Sequence, residues 1–149
     1  MNEIIKKYTG DSFGTLISKF GFEIKREIIS DESYLMEYVS ENYVIKMEKY
    51  HREFYPSVYS LSDQENEINF FNLLGFLKQG GSDTPKSEFF RKEKDIGECY
   101  RKQLNHISSA IYDSLDLLDD FFSKDKYKEN ALEFHRYWKS KHPELYRTL

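Results

Sequence analysis

Cys99, Gln103 and His106 are the one nucleophile-like grouping in this chain of 149 residues. A thiol, an amide and an imidazole spaced by four and three share one stripe of a helix, and the chemistry such a set serves is attack by a thiolate activated by imidazole. Distance argues against that use. Seven residues of helix rise about 10.5 Å, which puts thiol and imidazole out of contact, so Cys99 reads as a small buried hydrophobe.

Other chemistries fare no better. His51, His106, His135 and His142 contain no His-x-x-x-His pair and no Glu at zincin spacing, and a single cysteine cannot build a thiolate cluster, so no metal site is expected. Gly80-Gly81 lacks the Lys and following Ser/Thr of a phosphate-binding loop. Carboxylates are plentiful, but nothing in their spacing pairs two of them into an acid/base dyad. The expectation is a chain without cofactor or metal that leans away from enzymatic activity.

Charge is distributed more tellingly. Between Gln103 and Ser123 there are four aspartates, Asp113, Asp116, Asp119 and Asp120, and no Lys or Arg. Asp113, Asp116 and Asp120 fall on one helix face. That face is either ordinary solvated surface or a patch that steers a basic partner into contact. From Lys124 onward the sign reverses through Lys126, Lys128, Arg136, Lys139, Lys141 and Arg147, which partly complements a helix C-terminus.

The elements that must carry these residues fit one domain over 1–149, because about 100–150 residues is the commonest domain size. Only 39% of the chain is hydrophobic, but it includes 12 Tyr and 12 Phe, so an aromatic core separates it from a disordered polymer of equal polarity. A net charge of −4 argues against nucleic acid as the default partner. MNEIIKKYTG lacks the apolar region of a signal peptide, and no apolar run reaches the ~20 residues of a membrane span. With one cysteine, a reducing cytoplasmic setting is expected.

The fold class expected is α+β. Asp11 or Ser12 caps a short helix through Phe13, Leu16, Ile17 and Phe20, ended by Gly21. The period then switches to two, and 22–61 reads as a four-stranded antiparallel meander. With Glu41-Asn42 as a two-residue loop, Val39 faces Val44, Tyr38 Ile45, Glu37 Lys46, and Met36 Met47. A His51-Arg52 turn places Met47 near Pro56 and Ile45 near Val58, and Pro56, with no N–H, marks its strand as an edge. One face then carries Phe22, Ile24, Ile28, Tyr34, Met36, Tyr38, Ile45, Met47, Phe54 and Val58. The other carries Glu23, Lys25, Glu27, Leu35, Glu37, Val39, Val44, Lys46, Glu48, Tyr55 and Tyr59, and is left to water.

Three helices follow on one face of the sheet. Ser62-Asp63-Gln64-Glu65 fits a capping box opening a helix through Leu77. The run 79–86 is a mobile loop dividing a sheet half, about 1–79, from a helical half, about 87–149. A long amphipathic helix from about Lys92 to Phe122 and a last one from about Lys126 to Ser140 complete the chain.

On the outer sheet face, Tyr55 and Tyr59 beside Lys46 and Glu48 have the aromatic-plus-charge character of interface anchors. The stretch from Phe13 to Leu61, in which Gly21-Phe22-Glu23-Ile24 opens the meander, resembles small bacterial α+β proteins of unknown function, some of them immunity proteins of polymorphic toxin or contact-dependent inhibition systems. That resemblance implies a small, acidic, non-enzymatic protein that binds one protein partner, such as a basic toxin domain. The leading expectation is therefore a protein-binding module using Tyr55, Tyr59, Lys46, Glu48, Asp113, Asp116 and Asp120. The alternatives are a small-ligand binder or enzyme with a pocket between sheet and helices, and a structural protein that forms homo-dimers or larger homo-oligomers through the outer face or the Pro56 edge.

Overall fold

Two-residue turns between alternating segments let each strand lie beside the one before it. The computed structural model, which describes residues 1–146, accordingly places β1 (Glu23–Ile29), β2 (Tyr34–Val39), β3 (Tyr43–Tyr50), β4 (Glu53–Ser60) and β5 (Asp63–Asn69) in one antiparallel sheet in that order. Helix α1 (Asn2–Ser18) precedes the sheet, and α2 (Phe70–Leu77), α3 (Ile96–Phe121), α4 (Tyr127–Lys141) and a short 3-10 turn (Pro143–Tyr146) follow. The class is α+β. No helix among the described residues is long and apolar enough to cross a membrane.

The β2–β3 and β3–β4 registers are those expected, with Tyr38 opposite Ile45, Met36 opposite Met47, Met47 opposite Pro56 and Ile45 opposite Val58. His51 turns the β3–β4 hairpin at a positive φ of 54°. The inner face packs Tyr34, Met36, Tyr38, Ile45, Met47, Phe54 and Val58 into the core with Phe13 and Leu16 of α1, Leu104 and Ile111 of α3, and Leu73 of α2. Burial of such side chains is worth roughly 1.5–3 kcal/mol each, so this face holds the layers together.

Four expectations are corrected. The sheet has five strands, because Asp63–Asn69 is β5 and not the start of a helix. Its ends tie to β4, with Ser60 opposite Asp63 and Val58 opposite Ile68, and that pairing overrides a sequence of weak strand propensity. Helix α2 begins only at Phe70, where the Asn69 side chain accepts from the Asn72 N–H.

Second, β4 is not an edge, so self-association through a Pro56 edge has no basis. Pro56 nevertheless sits where its neighbour is missing. Pairing with β5 stops at Ser57 opposite Asn69, since the chain then turns into α2. Third, Lys25 is an extra residue between Ile24, opposite Tyr38, and Arg26, opposite Glu37. This bulge reverses the alternation, so Ile28 lies on the outer face opposite Leu35 while Glu27 moves to the inner side opposite Met36. Ile24 and Ile28 are both exposed at the sheet's edge, outside the core. Fourth, α1 starts at Asn2 and leaves Ile17 and Phe20 exposed. Its buried stripe includes Thr9 and Ser12, two polar residues that disguise the period. The Thr9 hydroxyl shares a 2.8 Å hydrogen bond with the Tyr34 hydroxyl, which satisfies both.

Candidate functional site

Helix α3 carries the acidic stripe. The Asp95 side chain caps its start by accepting from the Glu98 N–H, and from there one face is apolar while the opposite face reaches solvent. Asp113, Asp116, Asp119 and Asp120 are all exposed on that outward face. Asp120 pairs with Lys126 at 2.9 Å, and Asp119 accepts from the Tyr43 hydroxyl at 2.7 Å. Among the described residues Asp113 and Asp116 have neither an ion pair nor a hydrogen bond to their side chains.

The stripe borders a depression that composition alone does not reveal. A cavity of about 440 Å³ lies where the α1–β1 connection, the β2–β3 turn and α3 meet, lined among others by Phe20, Glu41, Tyr43, Leu115 and Asp119. Its lining holds two carboxylates and no cation. Phe20, 41% exposed, stacks on Tyr112 of α3 at 5.9 Å, and Tyr112 is anchored by donating to the Ser12 carbonyl. Half-buried Tyr112 and Asp116 are one helical turn apart, so the exposed Phe20 ring stacked on Tyr112 lies on the same surface as the Asp116 carboxylate. Burial and the bond to Asp119 push the Tyr43 hydroxyl well above the usual tyrosine range, so it stays a donor and Asp119 stays oriented. Asp119 and Glu41 join Asp113, Asp116 and Asp120 in this surface. Their signal in the sequence is faint, because Asp119 lies off the Asp113–Asp116–Asp120 line and Glu41 reads as a turn residue.

The outer sheet face is organised differently. No outer-face residue belongs to the helix-packed core, and the described helices lie on the other side. Tyr55 is 38% exposed, with its ring against Phe89 at 5.3 Å and its hydroxyl donating to Glu53. Tyr59 is only 5% exposed and is no free anchor. Its hydroxyl donates to Glu37 and accepts from Lys25 at 3.0 Å. Burial first, then the bond to Glu37, raises the Tyr59 hydroxyl above its ordinary value.

Glu37 and Lys46 face each other across the strands but find different partners. Lys46 bridges Glu48 at 3.2 Å and Glu67 at 2.7 Å, while buried Glu37 takes Tyr59 and, at 3.7 Å, Arg26. Burial alone would lower Lys46, but Glu67 and Glu48 outweigh it and the net shift is upward. A shallow groove over this network is lined by Lys25, Arg26 and Lys46 against Glu37, Glu65 and Glu67, three charges of each sign. Such a balanced surface projects little field, unlike the acidic stripe.

The two surfaces lie on opposite sides, since α3 packs against the inner face of the sheet and turns its aspartates outward. The structure thus brings Tyr55, Tyr59, Lys46 and Glu48 together, gathers Asp113, Asp116 and Asp120 elsewhere, and keeps the two groups apart.

The Cys99–Gln103–His106 stripe resolves into separate structural tasks. Buried Cys99 donates weakly to the Phe89 and Phe90 carbonyls and receives the Gln103 amide at 3.3 Å. His106 bonds the Lys86 carbonyl at 2.6 Å and stacks on Phe71. No cluster of three His, Cys, Asp or Glu suited to a metal occurs among the described residues. Arg147, the last member of the basic run, lies outside the described residues. Comparison with protein-family models, with curated proteins and with solved structures finds no match to this chain.

Proposed function

We propose that this chain is a non-enzymatic protein-binding module whose acidic surface occludes a basic partner, in the manner of an immunity protein that covers a toxin domain. The observation that carries the reading is the excess of carboxylates on one coherent surface, where Lys126 pairs with Asp120 and Lys19 lies over the Phe20 ring. Among the described residues Asp113 and Asp116 lack partners, Glu41 and Asp119 line an adjoining cavity without a cation, and Phe20 stands exposed beside them. A Lys or Arg entering that cavity would meet carboxylates already in place, and Phe20 would supply the apolar contact that anchors need. Long-range attraction from the stripe would speed the encounter and weaken with salt. The outer sheet face has less to offer, because its charges already satisfy one another.

Affinity capture from the source cell with the full chain, repeated with the Asp113→Asn/Asp116→Asn double variant, tests the reading. The expected result is a basic protein retained at low salt, released at high salt and lost with the variant. Recovery of no partner, or of one held equally by the variant, would overturn it. A pocket between sheet and helices has no support, since that space is filled by Phe13, Tyr38, Ile45, Phe70 and their neighbours.

A further inference from the structure

Away from both surfaces, α2, the 79–86 connection and α4 enclose a cleft of about 380 Å³. That volume lies at the small end of ligand sites and suits a molecule built on a single ring. One wall is α2, with Phe71 and Gly75, and the other is α4, with Tyr137 and Trp138.

The charge of this cleft is opposite to that of the rest of the molecule. In a protein of net charge −4, the lining holds Lys86, Lys141 and His142 and no carboxylate. Lys141 lies 5.9 Å from the Tyr137 ring, and His142 packs on one side of the Trp138 ring at 4.0 Å while approaching Glu144 at 3.5 Å. Lys86 makes no ion pair among the described residues. The C-terminal turn of α4 explains a cation at 141, since the helix dipole favours one there. It does not explain Lys86, which comes from the connection and faces the same space. Thr84, also lining the cleft, buries a hydroxyl that has no hydrogen-bond partner among the described residues, beside Gly81 and near the Asp83 carboxylate. A buried hydroxyl left unpaired costs about 1–3 kcal/mol, which an acceptor supplied from the cleft would offset. The neighbouring cavity shares Lys141 with this cleft but adds Asp120 and Glu133, so an anion is better placed on the Lys86 side of Lys141.

We infer that the cleft binds a small aromatic anion, its ring against Trp138 and its carboxylate or phosphate between Lys86 and Lys141. The site is separate from the acidic stripe, and neither reading depends on the other. Trp138 is the only tryptophan in the chain, so its fluorescence reports on this cleft alone.

The full chain is titrated with benzoate, phenyl phosphate and the neutral benzamide. At least one of the two anions should quench or shift Trp138 saturably, with benzamide weaker by roughly tenfold, about the worth of one charge-assisted hydrogen bond. Whichever anion binds tighter identifies the head group. Lys86→Ala and Lys141→Ala should each weaken binding by about five- to tenfold while leaving the circular dichroism spectrum unchanged. Both substitutions are at exposed positions, so folding is not at issue. An unsaturable response to both anions, equal binding of benzamide, or unaltered affinity in both lysine variants overturns the inference.

Discussion

Gln103 of α3 stands in for a missing strand beside Phe54 of β4. Its side-chain oxygen accepts the Phe54 N–H at 3.0 Å, and its amide nitrogen donates to the Arg52 carbonyl at 2.8 Å. Phe54 therefore directs its N–H away from β3, toward the side on which β5 has already turned into α2. Pro56, two residues on, directs its ring nitrogen to that same side and needs no partner there. One fully buried glutamine and one proline together close the part of β4 that β5 leaves open.

Replacing Gln103 with Leu should therefore destabilise the fold more than the lost volume suggests. The buried Phe54 N–H would be left unsatisfied, at about 1–3 kcal/mol, and the part-buried Arg52 carbonyl would lose its partner as well. Urea unfolding should show a lower midpoint with an unchanged slope, whereas an unchanged midpoint would mean that water reaches the hairpin and replaces the amide.

Neutralising the acidic stripe should separate binding from stability. Asp113→Asn and Asp116→Asn touch exposed groups with no partner among the described residues, so each should leave stability within about 0.5 kcal/mol. Relief of like-charge repulsion along the helix makes a small gain more expected than a loss. A loss well beyond that range would show that the aspartates serve the fold, and their claim to a partner would fall with it.

Stability should also decline at alkaline pH. Burial raises the hydroxyls of Tyr34, Tyr38, Tyr43, Tyr59 and Tyr127 above the ordinary tyrosine value. A group whose folded pKa is raised contributes stability that is complete below its unfolded pKa of about 10 and disappears as pH climbs toward the folded value. The unfolded chain should ionise these hydroxyls first and pull the equilibrium toward itself. Tyrosinate absorbance should therefore rise together with loss of the circular dichroism signal, and ionisation of these five in a chain still folded would contradict the burial described.

On the acid side the sign is opposite. The Tyr127 hydroxyl and the Asn66 amide hold Asp63 below the usual carboxylate range, Arg91 and Tyr55 do the same for Glu53, and Lys102 does so for Glu93. These contributions are complete above the unfolded carboxylate pKa near 4 and are lost as pH falls through the lowered folded values. All three groups are close to solvent, so salt should blunt the effect. Asp63→Asn should flatten part of the acid limb, and a limb of identical shape in that variant would place the protonation elsewhere.

Much of the fold was legible because strand period and turn chemistry agreed. Glu41-Asn42 and His51-Arg52 each set a register, and apolar pairs such as Met36 and Met47 supported it. What escaped were local reversals of pattern. Lys25 looks like any residue of an alternating run, yet as a bulge it exchanges the faces of Glu27 and Ile28. Asp63 to Asn69 resembles a helix start because capping residues and a polar edge strand share a composition, and only the pairing with β4 distinguishes them. In the candidate surfaces, Tyr59 was visible as an aromatic but not as a buried donor, since Glu37 becomes its partner only once three strands are side by side. Asp119 and Glu41 meet through a turn and a helix more than seventy residues apart, a juxtaposition that spacing cannot express.

The two borders of the sheet have a consequence for how the molecule behaves in company. An open strand margin is a template for adding further chains, and a flat apolar one invites fibril growth. Here β1 is bent by the Lys25 bulge and interleaves its exposed isoleucines with Lys25, Arg26 and Glu27, while β5 presents Gln64, Glu65, Asn66 and Glu67. Both margins are thus guarded by charge or distortion. Neither margin therefore offers the flat apolar strand on which a further copy would add.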